Sequence, residues 1–285
     1  MKLLRYGLPG KEKPGILDKN GEIRDLSDHI NDISGATIEP ESLSALAKIN
    51  IDTLTPVKGN PRLGPPMVNV GKIVAVGINY EAHGKETEID IPDEPILFAK
   101  AVTSLSGPYD PVILPKGSIK CDWEVELALV IGQRAQYITE EDALDVIAGY
   151  SILNDVSERE FQLERDGQWL KGKSFDTFAP FGPWLVTLDE IKDPQNLGLW
   201  LNVNGSKQQD GHTSDMIFGV RHIISSITKY MTLLPGDIIS TGTPPGVGLG
   251  RIPPMYLKDG DVMDLGIEGL GVQRQEVKAW ESPIP

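Results

Sequence analysis

A chain of 285 residues with 40% hydrophobic and 24% charged residues has ordinary globular usage, enough for a sizeable core plus a smaller attached unit, and gives no sign of disorder. Its 27 basic against 41 acidic residues leave a net charge of −14, which argues against nucleic acid or an anionic membrane as partner; a small anionic ligand would need local positive charge. The single cysteine, Cys121, excludes an intrachain disulfide, and charge interrupts Met1-Lys2-Leu3-Leu4-Arg5 before any secretory apolar region forms, so a cytoplasmic protein that does not span a membrane is expected.

Lys2 to Tyr6, Pro14 to Leu17 and Glu22 to Leu26 read as short strands, the last two joined through Asp18-Lys19-Asn20-Gly21, whose Asn-Gly pair tolerates positive φ. Pro40 to Ile49 spaces Leu43, Leu46 and Ala47 on one helical face behind a proline suited to a first turn. Gly59 to Pro66 packs three prolines and two glycines into eight residues, which places a boundary near residue 70. The expectation is a small N-terminal α+β domain over 1–70, serving packing or assembly, and a larger domain over 71–285.

Gly71 to Ile78 is a buried strand that delivers the chain to Asn79-Tyr80-Glu81-Ala82-His83-Gly84-Lys85-Glu86. His83 and Glu86 are neighbours if this segment is helical, and a carboxylate beside an imidazole fixes its tautomer and raises its basicity, as a water-activating base requires. Taken alone, such a pair is more often a surface contact. Gly84 makes the helix short or conditional, which suits a segment that orders over a ligand. Pro95 to Lys100 is a strand ending in a cation, and Lys100 is carried as a candidate substrate contact.

Asp122, Glu124 and Glu126 alternate with Trp123, Val125, Leu127 and Leu129, so Glu124 and Glu126 share one face of a strand. At about 4 Å and an effective dielectric near 20, two such carboxylates repel by about 4 kcal/mol, and a cation between them is the simplest remedy. An isolated Glu-x-Glu is more often a solvated sheet face. The apolar run Ala148 to Asn154 ends on a third acid, Asp155. Three carboxylates without a cysteine favour a hard ion, Mg²⁺ or Mn²⁺ ahead of Ca²⁺, and disfavour zinc.

Thr139 to Ala148 and the segment from Ser157 carry helix-start patterns, the second placing Arg159 and Gln162 on one side. Gly167 to Ser174 matches the letters of a phosphate loop, but a polar, helix-like stretch precedes it and Trp169 and Leu170 stand where small residues belong, so that reading is rejected. Leu199 to Gly205 opens a hairpin. Ser214 to Met231 reads as one long amphipathic helix, with His212 and His222 non-catalytic. Asp237 to Ser240 is a strand, and the loop Thr241 to Gly250 can aim backbone N–H groups and a threonine hydroxyl at a carboxylate, although turn-making alone would explain it. Asp261 to Ile267 and Val272 to Trp280 form a closing hairpin.

Five motifs occur together: Gly77-x-Asn79-Tyr80-x-x-His83-x-x-Glu86, Asp122-Trp123-Glu124-Val125-Glu126-Leu127, Asn154-Asp155-Val156-Ser157-x-Arg159-x-x-Gln162, Gly172-Lys173-Ser174-Phe175-Asp176 and Ser240-Thr241-Gly242-Thr243-Pro244-x-Gly246-Val247. In order and spacing they resemble the fumarylacetoacetate hydrolase family from about residue 71 onward, and the chain looks similar to bacterial members acting on sugar-derived 2,4-diketo acids. The resemblance implies an α+β fold, a mixed β-sandwich roll with the small N-terminal domain, and a homodimer. It also implies Mg²⁺ or Mn²⁺ held by Glu124, Glu126 and Asp155. His83 with Glu86 becomes a water-activating pair on a lid, Lys173 a cation near the reacting oxygens, Arg159 and Gln162 substrate contacts, and Thr243 a holder of a substrate oxygen. The expected activity is hydrolysis of a C–C bond in a small anionic 2,4-diketo acid to pyruvate and a second carboxylic acid. Ureidoglycolate lyase or oxaloacetate decarboxylase is the alternative on the same site, and an inactive metal-stabilised binding module the alternative of another class.

Overall fold

A computed structural model describes residues 1–281. Three short strands, β1 (Lys2–Tyr6), β2 (Lys13–Leu17) and β3 (Ile23–Asp25), form an antiparallel meander. Asp18 closes the expected turn, its Oδ1 accepting from the backbone N–H of Asn20 at 2.8 Å and of Glu22 at 2.9 Å, while Gly21 takes φ +79°. After α1 (Pro40–Leu46) come β4 (Ile73–Gly77), α2 (Glu81–Glu86), β5 (Ile96–Lys100), β6 (Val125–Ile131), β7 (Ile147–Asn154), α3 (Arg159–Leu163) and α4 (Leu170–Lys173). β8 (Ala179–Thr187), β9 (Gly198–Val203), β10 (Ser206–His212), α5 (Val220–Tyr230), β11 (Ile238–Ser240), β12 (Val262–Ile267) and β13 (Gly271–Lys278) complete the chain.

One sheet runs β3-β2-β1-β8-β7-β6-β11-β4-β5, and a second runs β10-β9-β12-β13. β11 and β4 pair in parallel, which makes the larger sheet mixed. The N-terminal meander joins it directly, Lys2 opposite Val186 and Leu3 opposite Leu185.

β6 shows how the sequence sets this packing. Val125, Leu127, Leu129 and Ile131 lie in a core with Leu199, Leu201, Met263 and Leu265 of the second sheet and with Ile223, Ile224 and Ile227 of α5. Ala128 and Val130 face the other way, in a second core with Leu3, Ile16, Leu153 and Phe181. Each large apolar side chain fully buried this way contributes about 1.5–3 kcal/mol. Glu124 and Glu126 share the parity of Ala128 and Val130, so the acids continue the second face to the point where the strand leaves the core.

Three expected helices differ, each because a tertiary partner takes the backbone. The helix expected from Ser214 starts at Val220, because Met216 bridges to Tyr80 and the N–H of Phe218 donates to Asn79 Oδ1 at 2.8 Å, keeping 216–218 out of the helix. The helix expected over Thr139 to Ala148 is a single 3₁₀ turn, Ala143–Val146; the Thr139–Asp142 contact forms, but residues from Ile147 onward pair with β6. Ser157 does not cap α3. It pairs in a short ladder with Asp122, and the Glu158 carboxylate accepts from the N–H of Phe161 at 2.8 Å instead.

Candidate active site

The pairing of β6 with β7 starts at Val125 opposite Asn154, and the N–H of Asp155 donates to the carbonyl of Glu124 at 2.8 Å. Segments 121–126 and 153–158 therefore run past each other in opposite directions. Their side chains Glu124, Glu126 and Asp155 converge, one oxygen from each lying within 4.8 Å of the others, and all three are buried. The Glu-x-Glu pair is thus no solvated sheet face.

Protein cations already stand among these acids. Lys173 Nζ donates to Glu124 Oε2 at 2.7 Å and to Asp155 Oδ2 at 2.8 Å; Arg159 donates to Glu124 Oε1 at 2.7 Å and to Asp122 Oδ2 at 2.8 Å. Burial alone would raise the pKa of Glu124, but Lys173 and Arg159 hold it well below the usual carboxylate range. Burial likewise works against the charge on Lys173, and Asp155 and Glu124 overcome it, so the ammonium is held above its ordinary pKa. Glu126 has no such partner. It accepts from Ser240 Oγ at 2.5 Å and from the N–H of Gly242 at 2.9 Å, while burial, then the charges of Asp155 and Glu124, push its carboxyl well above the ordinary value.

Four carboxylates, Asp122, Glu124, Glu126 and Asp155, thus face three cations, Lys100, Arg159 and Lys173, and the uncompensated one is Glu126. A hard divalent cation fits this donor set. Its ligands would all be carboxylate oxygens, and oxygens already accepting one hydrogen bond keep a second lone pair.

Several expected substrate contacts have other engagements. Lys100 is buried behind Asp155, donating to Oδ1 at 2.5 Å and to the carbonyl of Lys173, and it does not line the cavity; its expected role as a substrate contact is corrected to that of a counter-ion for Asp155. Arg159 reaches the cavity wall, but its guanidinium is bonded to Asp122, Glu124 and Gln162 Oε1 (2.9 Å), so it chiefly orders the acids. Thr243 also lines the cavity, its hydroxyl donating to the carbonyl of Val125 at 3.0 Å. Gln162 Nε2 has no protein acceptor among the described residues.

Above the acids lies α2, six residues long. His83 Nδ1 is 2.9 Å from Glu86 Oε1, as the three-residue spacing predicts. Glu86 also accepts from the N–H of Gly246 at 2.8 Å, and Asp122 accepts from those of Gly248 (2.7 Å) and Leu249 (3.0 Å). The loop Thr241 to Gly250 does aim N–H groups at carboxylates, but at the protein's own. Gly246 has φ +111°, and an added Cβ would meet the carbonyl oxygen of Gln208 at 2.0 Å. Gly246→Ala is therefore expected to lower Tm by several degrees, on the scale of about 1–3 kcal/mol for overpacking, and to cut activity by unseating Glu86 and with it His83. Calorimetry and a rate assay check both. His212 and His222 lie outside the site, on Ser214 and Glu140.

The cavity beside the acids is small, about 30 Å³, room for a water or two. Its lining combines the polar His83, Glu124, Glu126, Arg159, Gln162, Lys173 and Thr243 with the apolar Ile78, Ile89, Phe98, Leu163, Trp169 and Leu249. A larger molecule enters only if part of this wall moves. Sequence reasoning passed over Asp122 as a clamp on the 248–249 loop and Gln209 altogether. Their partners lie 126 and 84 residues away, where no local spacing records them.

A mixed-sheet scaffold carrying a buried carboxylate trio under a histidine–carboxylate pair is the layout of an enzyme site that can hold a metal. Residues 72–278 match the family described as fumarylacetoacetate (FAA) hydrolase C-terminal, and the chain belongs to the fumarylacetoacetate hydrolase family. A Burkholderia multivorans protein, named provisionally as a hydrolase, is 53% identical over 280 residues, 98% of this chain and 99% of its own. The solved fumarylacetoacetate hydrolase of Exiguobacterium antarcticum has a TM-score of 0.85 at 36% identity, over 98% of this chain and 100% of that one. Maleylpyruvate hydrolase from Sphingobium sp. SYK-6, solved with manganese(II) and pyruvate, has a TM-score of 0.83 at 30% identity, over 99% and 100%.

Proposed function

We propose that this protein is a divalent-metal-dependent hydrolase that cleaves the C3–C4 bond of a 2,4-diketo acid, releasing pyruvate and a second carboxylic acid. The observation that carries this reading is that Glu124 and Glu126 line one cavity with His83, while Asp155 completes the acidic trio and Glu86 is hydrogen-bonded to the His83 imidazole. Manganese and pyruvate in the Sphingobium relative support it. Mg²⁺ or Mn²⁺ held by Glu124, Glu126 and Asp155 would supply electrophilic help to the substrate's carboxylate and 2-oxo oxygens.

The chain's own residues do the rest. Glu86 at Nδ1 fixes the tautomer of His83 and leaves Nε2 as the basic nitrogen. Nε2 takes a proton from water, the hydroxide adds to C4, and the C3–C4 electron pair departs with C3, which is then protonated to the methyl group of pyruvate. Lys173 keeps a positive charge beside the departing pyruvate, where negative charge builds. Gln162 Nε2 offers a donor to a substrate oxygen.

The apolar part of the lining, Ile78, Ile89, Phe98, Leu163, Trp169 and Leu249, suits a short acyl or apolar tail better than a sugar-derived one. Hydroxyls buried against it would go unpaired at about 1–3 kcal/mol each. The reading carries with it a cytoplasmic homodimer, which sedimentation would check for assembly. Purified protein with Mg²⁺ or Mn²⁺ is expected to convert an acylpyruvate to equal amounts of pyruvate and carboxylic acid. If turnover occurred only with oxaloacetate, giving CO₂, or with ureidoglycolate, giving glyoxylate and urea, hydrolysis would be the wrong assignment.

A further inference from the structure

We propose that Gln209 is a positioning residue for the metal-binding carboxylates, reaching from the second sheet to fix the backbone of Val125, the residue between Glu124 and Glu126. The inference rests on the reading that the trio holds a divalent ion.

On one side of β6 the partner is β7 along its whole length, but on the other β11 pairs only with Ala128 to Val130. Thr241 extends that edge by one rung, its N–H and its hydroxyl donating to the carbonyl of Leu127 at 3.1 and 3.0 Å. Beyond it no strand remains to bond Val125. Two side chains stand in for the missing strand: the N–H of Val125 donates to Gln209 Oε1 at 3.0 Å, and its carbonyl accepts from the Thr243 hydroxyl at 3.0 Å. Gln209 Nε2 closes the ring by donating to Thr243 Oγ1 at 2.7 Å, and its other hydrogen goes to the carbonyl of Pro244 at 2.8 Å. The carboxamide is fully buried, both of its N–H hydrogens are donated, and its oxygen accepts from Val125. Its orientation is also determined. Exchanging oxygen and nitrogen would set donor against donor at Val125 and acceptor against acceptor at Pro244.

On the far side of the same residues, the N–H of Glu124 donates to Asn154 Oδ1 at 3.2 Å, not to a strand carbonyl. The chain here has left the regular ladder, Trp123 and Glu124 lying between the strands, and side-chain acceptors hold its path. Two glutamates one residue apart aim at one point only while the backbone between them stays put. A few tenths of an ångström there become a misdirected carboxylate at the ion.

Gln273 provides the control. It is as buried as Gln209 and also belongs to the second sheet, but it donates to the carbonyls of Ile152 and Gly182 and meets the trio's backbone only at second hand, through Gln275 and Asn154, with no bond of its own to Val125. Gln209→Leu and Gln273→Leu each remove one buried carboxamide and are expected to lower Tm alike. Titration of the full chain with Mn²⁺, followed by electron paramagnetic resonance, is expected to show affinity reduced about 10–100-fold in Gln209→Leu and unchanged within roughly twofold in Gln273→Leu. In the metal-free protein, hydrogen exchange at the amide of Val125 is expected to accelerate in the first variant only. Wild-type Mn²⁺ affinity in Gln209→Leu, or equal losses in both variants, would overturn the proposal. If Gln209→Leu does not fold, Gln209→Asn carries the test, since it keeps the carboxamide but stops one methylene short of Val125. A wild type that took up no Mn²⁺ would defeat the metal reading, and exchange at Val125 alone would then decide the positioning role.

Discussion

Glu126→Gln is expected to weaken Mn²⁺ binding by at least about 100-fold, beyond the loss caused by removing an outer partner of a metal ligand, while leaving the metal-free fold at least as stable as the wild type. The asymmetry follows from the partners. Glu126 forms no ion pair with a lysine or arginine among the described residues; it accepts from Ser240 Oγ and the N–H of Gly242, and a glutamine oxygen can accept from both. The new NH₂ would face the carboxylates of Asp155 and Glu124, converting a repulsion into hydrogen bonds. Asp155→Asn should behave differently. Asp155 is the counter-ion of both Lys100 and Lys173, and neutralising it leaves two buried ammonium groups short of charge. Breaking a buried pair from one side costs about 3–5 kcal/mol, so this variant should lose metal and Tm together. Calorimetry of the two metal-free variants, alongside Mn²⁺ titration, separates the cases. A large Tm loss in Glu126→Gln would mean that its carboxylate holds the fold together and that the charge count given for the site is wrong.

The same contrast explains how much of this protein could be read from its sequence. Glu124, Glu126 and Asp155 were legible because a period-two pattern and an apolar run ending in an acid are local signals. His83 and Glu86 were legible because three residues is one helical turn. What neutralises the acids was only half legible. A cation between the glutamates was expected; Lys173 and Arg159, brought in by α4 and α3, neutralise Glu124 and leave Glu126 without a paired charge. Lys100 was misassigned for a related reason: its position at the end of β5 says nothing about whether the side chain turns toward the cavity or behind Asp155. The helix overextended to Ser214 failed where Asn79 and Tyr80, more than 130 residues earlier in the chain, capture 216–218. Its true face, Val220, Ile223, Ile224 and Ile227, has the spacing the sequence predicts. The strand meander of the first 26 residues was read correctly, but not its direct pairing with β8, because pairing between distant strands leaves no local signature.

His83→Ala is expected to cut turnover by about 100-fold or more while leaving Mn²⁺ affinity and Tm near wild type. The magnitude depends on His83 being the base, and the surroundings leave few rivals. Lys173 also lines the cavity, but Asp155 and Glu124 hold its proton, so it can supply charge and cannot accept. Glu86 is occupied by the imidazole and by the N–H of Gly246. The preserved metal affinity follows from geometry, since His83 belongs to α2 and makes no hydrogen bond to Glu124, Glu126 or Asp155 among the described residues. Single-turnover rates with an acylpyruvate, measured at saturating Mn²⁺, would isolate the chemical step from substrate entry past α2. A variant that kept the wild-type rate would move the proton transfer elsewhere. One that lost Mn²⁺ and the fold together would show that the imidazole supports the acids and does not act on water.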